Sequence, residues 1–260
     1  MKRSLWIFVF TTLLFSPAAR AAVHTETVEY RQGDKTLEGY LAYDDASPAK
    51  RPGVLVVHEW KGLDEYVKRR AEQLAGLGYV AFAADIYGKG VRPKTHEEAG
   101  AISASYRNDK ELMRARTRAG LDVLAAHPLV DASRLAAIGY CFGGAAVLEL
   151  ARSGADLRGV VTFHGVLDPP VPGAARNIKA KIRLFHGAAD PYVSPEAVRA
   201  FEDEMKAAGV DYRIVSYPGV AHSFTVPNNG AAPTKGMVYD EKADFDSWQK
   251  MQEFFAEIFA

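Results

Sequence analysis

Residues 139–144 read Gly-Tyr-Cys-Phe-Gly-Gly, and Cys141 is the single cysteine of the 260-residue chain. Its setting is that of a nucleophile. The apolar run Leu135-Ala136-Ala137-Ile138 leads into it, and Ala145-Ala146-Val147-Leu148 follows. This is the G-x-S-x-G strand–turn–helix pattern with Cys in place of Ser. Glycines let the strand and helix approach closely around a sharp turn. The turn sets the side chain at a helix N-terminus, where the dipole and free amides favour a thiolate. The amide of Phe142 can then face an oxyanion developing on a carbonyl carbon. The competing reading is a glycine-rich turn around a buried structural cysteine, because a free Cys packs as a small hydrophobe.

A thiol nucleophile needs a base, and the base needs a partner that fixes its tautomer. On folds that use this turn, the acid and then the histidine follow the nucleophile along the chain. Asp190, in Phe185-His186-Gly187-Ala188-Ala189-Asp190, and His222, in Pro218-Gly219-Val220-Ala221-His222-Ser223-Phe224, keep that order. Asp168, in Val166-Leu167-Asp168-Pro169, is the rival acid. Asp190 is preferred because Pro191 and Val193 complete an acid loop with a helix directly after it. His24, His96 and His127 read as surface or capping groups, and His58, His164 and His186 as supports at strand ends. No H-E-x-x-H, C-x-x-C, G-x-G-x-x-G or P-loop spacing occurs, so neither a metal nor a cofactor is expected.

Strands are predicted at 28–31, 37–43, 54–57, 79–84, 134–138, 159–163, 182–185 and 212–217. Helices are predicted at 65–77, 110–126, 142–152, 195–208 and 241–259. The aliphatic run 54–57 suits a strand buried on both faces. Asp64 can cap the first helix and Gly78 can stop it. Residues 85–108 carry Gly88, Gly90 and Pro93 and are expected to be irregular. The alternation predicts one α/β domain with a mostly parallel sheet and helices on both faces. Ligands on such sheets bind at the carboxyl ends of the strands, where Cys141, Asp190 and His222 fall.

Hydrophobic residues make up 48% of the chain and charged residues 25%, which suits a globular enzyme. Lys+Arg and Asp+Glu number 32 each, so no basic field exists to hold nucleic acid. Met1-Lys2-Arg3, an apolar stretch over 5–15 and Ala19-Arg20-Ala21 have the layout of a secretory signal peptide. Cleavage is expected after Ala21, leaving a single domain over 22–260 that is secreted or periplasmic. The apolar stretch is shorter than the roughly 20 residues of a spanning helix, so no stable membrane insertion is expected after cleavage. One cysteine cannot close an intramolecular disulfide. A monomer or small homo-oligomer is expected.

Taken together, Val56-Val57-His58-Glu59-Trp60-Lys61-Gly62, Ala84-Asp85-Ile86-Tyr87-Gly88, Gly139-Tyr140-Cys141-Phe142-Gly143-Gly144, His186-Gly187-Ala188-Ala189-Asp190 and Ala221-His222-Ser223-Phe224 resemble the dienelactone hydrolase family. They stand in that family's order across most of the mature chain. The resemblance implies an α/β-hydrolase fold and hydrolysis of a small ester or lactone by Cys141, His222 and Asp190 without a cofactor. It also implies that Glu59 contacts the resting thiol and helps to generate the thiolate. A carboxylate in an apolar site has the raised proton affinity this needs. Trp60 is implied as the second oxyanion amide beside Phe142. Tyr87 and Phe224 are candidate pocket residues, with core packing as the alternative. Relatives specific for dienelactone carry an arginine four residues after the catalytic histidine, and Val226 stands there instead. That argues against dienelactone itself, because a carboxylate clamp needs the guanidinium fork. Arg92 and Arg107 are candidates for a second substrate-binding arginine. Two other readings stay open: a thioesterase or short-chain esterase, and a non-catalytic exported binding protein on the same fold.

Overall fold

The computed structural model of the chain describes residues 23–227 and 235–260. The signal segment expected at 1–21 lies outside the described residues. The remaining chain builds an eight-stranded sheet with helices on both faces. Its elements run β1 (Val23–Gln32), β2 (Lys35–Asp44), β3 (Arg51–Val57), α1 (Glu65–Gly76), β4 (Val80–Ala84), α2 (His96–Asn108), α3 (Lys110–Ala126), β5 (Val130–Tyr140), α4 (Phe142–Arg152), β6 (Gly159–Phe163), β7 (Lys181–Gly187), α5 (Pro195–Ala208), β8 (Tyr212–Tyr217) and α6 (Glu241–Ile258), with a 3-10 turn at Ala174–Asn177. The spatial order is β1-β2-β4-β3-β5-β6-β7-β8. β2 pairs antiparallel with β1 and β4, and every later pair is parallel.

The central strands are buried on both faces because their residues alternate between two apolar layers. Leu55, Val57, Phe82 and Ala137 enter one layer, and Val54, Val56, Ala81, Ala83, Ala136 and Ile138 enter the other. Helix ends follow their capping residues. The Asp64 carboxylate accepts the amides of Tyr66 and Val67 at the start of α1. Ser194 caps α5 with Pro195 just inside it, and Gly209 closes that helix in the left-handed region at φ 70°.

Helix α2 corrects the expectation of an irregular segment over 85–108. Its buried face is Ala99, Ser103 and Tyr106, too small and polar to give a hydrophobic period. Capping holds it instead. Thr95 Oγ1 accepts the Glu98 amide at 3.1 Å, and Glu98 Oε2 accepts the Lys94 amide at 2.7 Å. The sequence signal was Thr95-His96-Glu97-Glu98, the S/T-x-x-E capping pattern. β1 is longer than predicted because it is a largely exposed edge strand and lacks apolar alternation. It is nevertheless paired with β2 residue by residue, from Val23 to Gln32.

Candidate active site

β5 delivers Gly139 and Tyr140 directly into Cys141, and α4 starts at the next residue. Cys141 sits at φ 51° and ψ −113°, a conformation that side chains rarely adopt and that costs on the order of 1–3 kcal/mol. Its neighbours explain why it is held there. A Cβ on Gly139 would lie 2.1 Å from Gly143 O, and one on Gly143 would lie 2.3 Å from Val57 O. One on Gly144 would lie 2.5 Å from Gly165 Cα. Glycine at 139, 143 and 144 thus lets α4 drop onto the ends of β3 and β6. Cys141 N–H donates to Phe163 O at 3.1 Å, and the thiol makes no cap bond to the helix. The Phe142 amide is at the first helical position, where amides have no acceptor inside the helix.

His222 follows β8 and is tied by backbone bonds to Gly236 O and Val238 N, both 3.0 Å. Its Nδ1 lies 2.6 Å from Asp190 Oδ2. The second Asp190 oxygen accepts the Tyr192 amide at 2.8 Å, which fixes the carboxylate in the loop after β7. Cys141 and the His222 ring line one cavity, close enough for their charges to interact. Burial disfavours the charged ring, but the Cys141 sulfur and the Asp190 carboxylate on either side override it and lift its pKa to about 10. Together these groups can hold a thiolate–imidazolium pair. Asp168, the rival acid, is elsewhere: it pairs with Arg107 through Nε, at 2.9 and 3.0 Å, and through Nη2.

The loop after β3 carries His58, Glu59 and Trp60. His58 Nε2 accepts the Ile86 amide at 3.2 Å, so the ring hydrogen is on Nδ1, which lies 2.6 Å from Glu59 O. Burial lowers the His58 pKa and keeps the ring neutral. The Glu59 carbonyl also accepts Gly62 N–H at 3.2 Å. A trans peptide is planar, so fixing that carbonyl aims the Trp60 N–H the opposite way. Tyr87 Oη donates to Trp60 O at 3.0 Å and holds the far side of the same residue. Glu59 is mostly buried, its side chain 11% exposed, and its Oε1 accepts the Ser223 hydroxyl at 2.9 Å. Burial raises its pKa to about 7 against the opposing pull of His222 and the Ser223 bond.

A cavity of about 220 Å³ opens over the sulfur, lined by Cys141, His222, Phe142, Trp60, Val166, Tyr192, Met237, Gly100, Ser103 and Arg107. The last three come from one face of α2, so the unforeseen helix supplies a wall. Two pocket expectations need correction. Phe224 is fully buried between His164 and Tyr217. Tyr87, 2% exposed, packs against His58, Tyr106 and Phe142 and braces Trp60 instead of lining the cavity. Both rings are large enough to fill the layer beneath the site, which position along the chain could not distinguish from lining it. Val226 is buried in the apolar layer, and Arg92 leans on Val91 O and Asp85 outside the cavity. Ser103, Met237 and Ser223 carried no sequence signal.

A tight turn after the fifth strand of a mostly parallel sheet, with an Asp–His pair at the ends of later strands, defines an α/β-hydrolase. A sequence model of the dienelactone hydrolase family matches residues 37–259, and the chain belongs to that family, whose members hydrolyse carboxylic esters and lactones. A Salmonella typhimurium protein provisionally named a carboxymethylenebutenolidase is 27% identical over 93% of both chains. Among solved structures, one titled m3DLH is 41% identical with a TM-score of 0.89, covering 92% of this chain and 100% of its own. Another, titled a dienelactone hydrolase-like promiscuous phosphotriesterase, P91, from metagenomic libraries, is 39% identical with a TM-score of 0.89 and the same coverage.

Proposed function

We propose that the chain hydrolyses small neutral esters or lactones by acyl transfer through Cys141. The observation that supports this most is one cavity floored by a cysteine in a strained turn and walled by an Asp-bonded histidine. In the proposed reaction Glu59 takes up the thiol proton, for which its raised proton affinity suits it. The Cys141 sulfur bonds to the acyl carbon while the amides of Phe142 and Trp60 hold the oxyanion. The C–O bond to the leaving group breaks, and His222 gives that oxygen its proton, leaving a thioester. His222 then deprotonates water, which attacks the thioester. The acid departs and sulfur is restored as thiolate. Asp190 keeps the imidazole hydrogen on Nδ1 throughout.

The preference for neutral substrates rests on charge. Among the described lining residues the guanidinium, Arg107, is paired with Asp168, and the position four residues after His222 is the buried Val226. Purified protein is expected to turn over p-nitrophenyl acetate, and Cys141→Ala to bring that to background. Turnover unchanged in the variant refutes the mechanism. A panel of a γ-lactone, an acyl thioester and an aryl phosphate triester then ranks substrates, the last because of the P91 relative. We further propose that the protein is exported and processed after Ala21. Mass spectrometry of its mature N-terminus checks this.

A further inference from the structure

Behind the site, outside the cavity lining, His164 follows β6 at φ 42° and is 1% exposed. Its ring centroid is 5.2 Å from that of His222. Its Nε2 lies 2.8 Å from Thr225 Oγ1, and Nδ1 is a buried polar atom with no hydrogen-bond partner among the described residues. Glu59 Oε1 lies 3.8 Å from that nitrogen. An orphaned buried ring nitrogen is costly and calls for a reason.

The hydrogen-bond chain on the other side of the ring decides what that nitrogen carries. Arg70 can only donate. Its Nε donates to Tyr66 Oη at 3.1 Å, and its Nη2 donates to both Thr225 O and the Asp244 carboxylate. Tyr66 Oη stands 2.6 Å from Thr225 Oγ1. With Arg70 already giving a hydrogen to the tyrosine oxygen, the tyrosine hydrogen goes to Thr225. The threonine hydrogen then goes to His164 Nε2. The reverse polarity would send the Tyr66 hydrogen towards the neighbouring Tyr140 hydroxyl and leave His164 Nδ1 a bare acceptor facing the Glu59 carboxylate, acceptor against acceptor. Nε2 is therefore the accepting nitrogen, and the ring hydrogen is on Nδ1, facing Glu59. Burial, His222 and Arg70 all hold the His164 pKa well below the ordinary histidine value, so the ring is neutral.

We propose that His164 is a positioning residue for Glu59. The Arg70–Tyr66–Thr225 chain fixes its tautomer, and the resulting Nδ1–H is the donor that seats the Glu59 carboxylate when it is charged. A movement of about 1 Å brings the carboxylate from its present distance to normal hydrogen-bond length. The charged carboxylate then has two donors, Ser223 Oγ–H and His164 Nδ1–H. The other groups acting on Glu59 are His222 and Lys61, which favour its charge, and Asp64, which opposes it. Tyr140 and Phe224 close the ring of His164 off from water. In this arrangement the seat keeps Glu59 ionised and ready to accept the thiol proton. This role rests on the proposed use of Cys141 as nucleophile.

Two measurements test it. The first needs no catalysis: two-bond proton–nitrogen spectra of the histidine-labelled protein at pH 7, with His164 assigned by its loss in His164→Asn. A hydrogen on Nδ1 is expected, and one on Nε2, or a charged ring, overturns the proposal. The second is the pH profile of iodoacetamide alkylation at Cys141. Removing a donor from a charged carboxylate raises its pKa, so His164→Phe should move the acid limb up by about one pH unit. His164→Asn keeps an N–H near Nδ1 and suits the left-handed backbone, so it should stay close to wild type. In a Glu59→Gln background, His164→Phe should produce no further shift. An unmoved limb in His164→Phe, or a shift that persists without Glu59, refutes the role. If His164→Phe does not fold, Thr225→Val reads the same point: the spectra should lose their fixed Nδ1–H form, and retention of it overturns the chain. Absence of ester turnover with the expected tautomer and profile would count against the hydrolytic reading and leave this one standing.

Discussion

Gly143 is where a single methyl group should separate oxyanion binding from nucleophile formation. Its added Cβ would stand 2.3 Å from Val57 O and 2.7 Å from His58 O, both backbone atoms. Such contacts essentially never fall below 3.0 Å, so α4 and the β3 loop must part by at least about 0.7 Å. The Phe142 amide rides on α4 and the Trp60 amide on the β3 loop, so the displacement opens the space between them. Misplacement of that order costs roughly 10²-fold in rate, similar to loss of one oxyanion donor. Overpacking adds about 1–3 kcal/mol of destabilisation and a fall of several degrees in Tm. We expect Gly143→Ala to lose about 100-fold in kcat/KM on p-nitrophenyl acetate. Iodoacetamide labelling should stay within a few-fold of wild type, because the Cys141–His222–Asp190 contacts do not cross the opened gap. Gly76→Ala, with nothing within 4 Å of the new methyl, is the control and should keep full activity. Turnover within threefold of wild type in Gly143→Ala refutes the geometric argument. Collapse of labelling along with turnover would show that the turn, not the oxyanion contacts, had been lost.

Other consequences follow from the charges. The folded-state pKa of His222, about 10, lies above the ordinary 6.5, so the stability it confers is full below pH 6.5 and is lost as pH rises towards 10. Asp190→Asn should therefore lower Tm most near pH 6, with the gap to wild type closing at pH 10, and should lower kcat by roughly 10²–10⁴. A uniform Tm offset across that range contradicts this assignment. Glu59 is shifted upward from 4.5 to about 7 by burial, so its ionisation destabilises the fold as pH climbs through that window. Glu59→Gln should gain about 1–3 kcal/mol relative to wild type above pH 7 in urea unfolding while losing activity, and equal stability at pH 5 and pH 8 would argue against it. Asp168→Asn frees Arg107 from its partner. The rate ratio of an anionic hemisuccinate ester to the acetate should rise about two- to fivefold, the scale of a partly exposed ion pair, and an unchanged ratio would show that Arg107 does not face the acyl group.

What could be read from the chain was whatever has a local physical signature. The turn at Gly139–Gly144 was legible because steric demand at each glycine is written as residue type. The order of Cys141, Asp190 and His222 was legible because parallel strands return every loop to the same sheet edge. α2 was not, because its buried face of Ala99, Ser103 and Tyr106 has no hydrophobic period and only a four-residue capping pattern marks its start. The pairing of Arg107 with Asp168 joins groups 61 residues apart. So does the bond between Ser223 and Glu59, 164 residues apart. Neither has a local trace. The aromatic side chains misled for a related reason: Tyr87 and Phe224 have the composition of pocket lining, but burial is a property of the whole fold.

Strain is placed as selectively as charge. The non-glycine residues with positive φ among those described are Cys141, His164 and Ser223, and all three meet at this site. Each costs on the order of 1–3 kcal/mol, and none is glycine, which would remove that cost. Glycine at these positions would also remove the sulfur, the ring nitrogen facing Glu59 and the hydroxyl bonded to Glu59. The fold can impose these conformations because rigid elements flank them: β5 and α4 around Cys141, and β6 before His164. Ser223 is fixed by the paired backbone of His222 and Val238. The three strained residues thus mark the two linked functions proposed for this edge of the sheet, presenting the Cys141 sulfur and holding the Glu59 carboxylate.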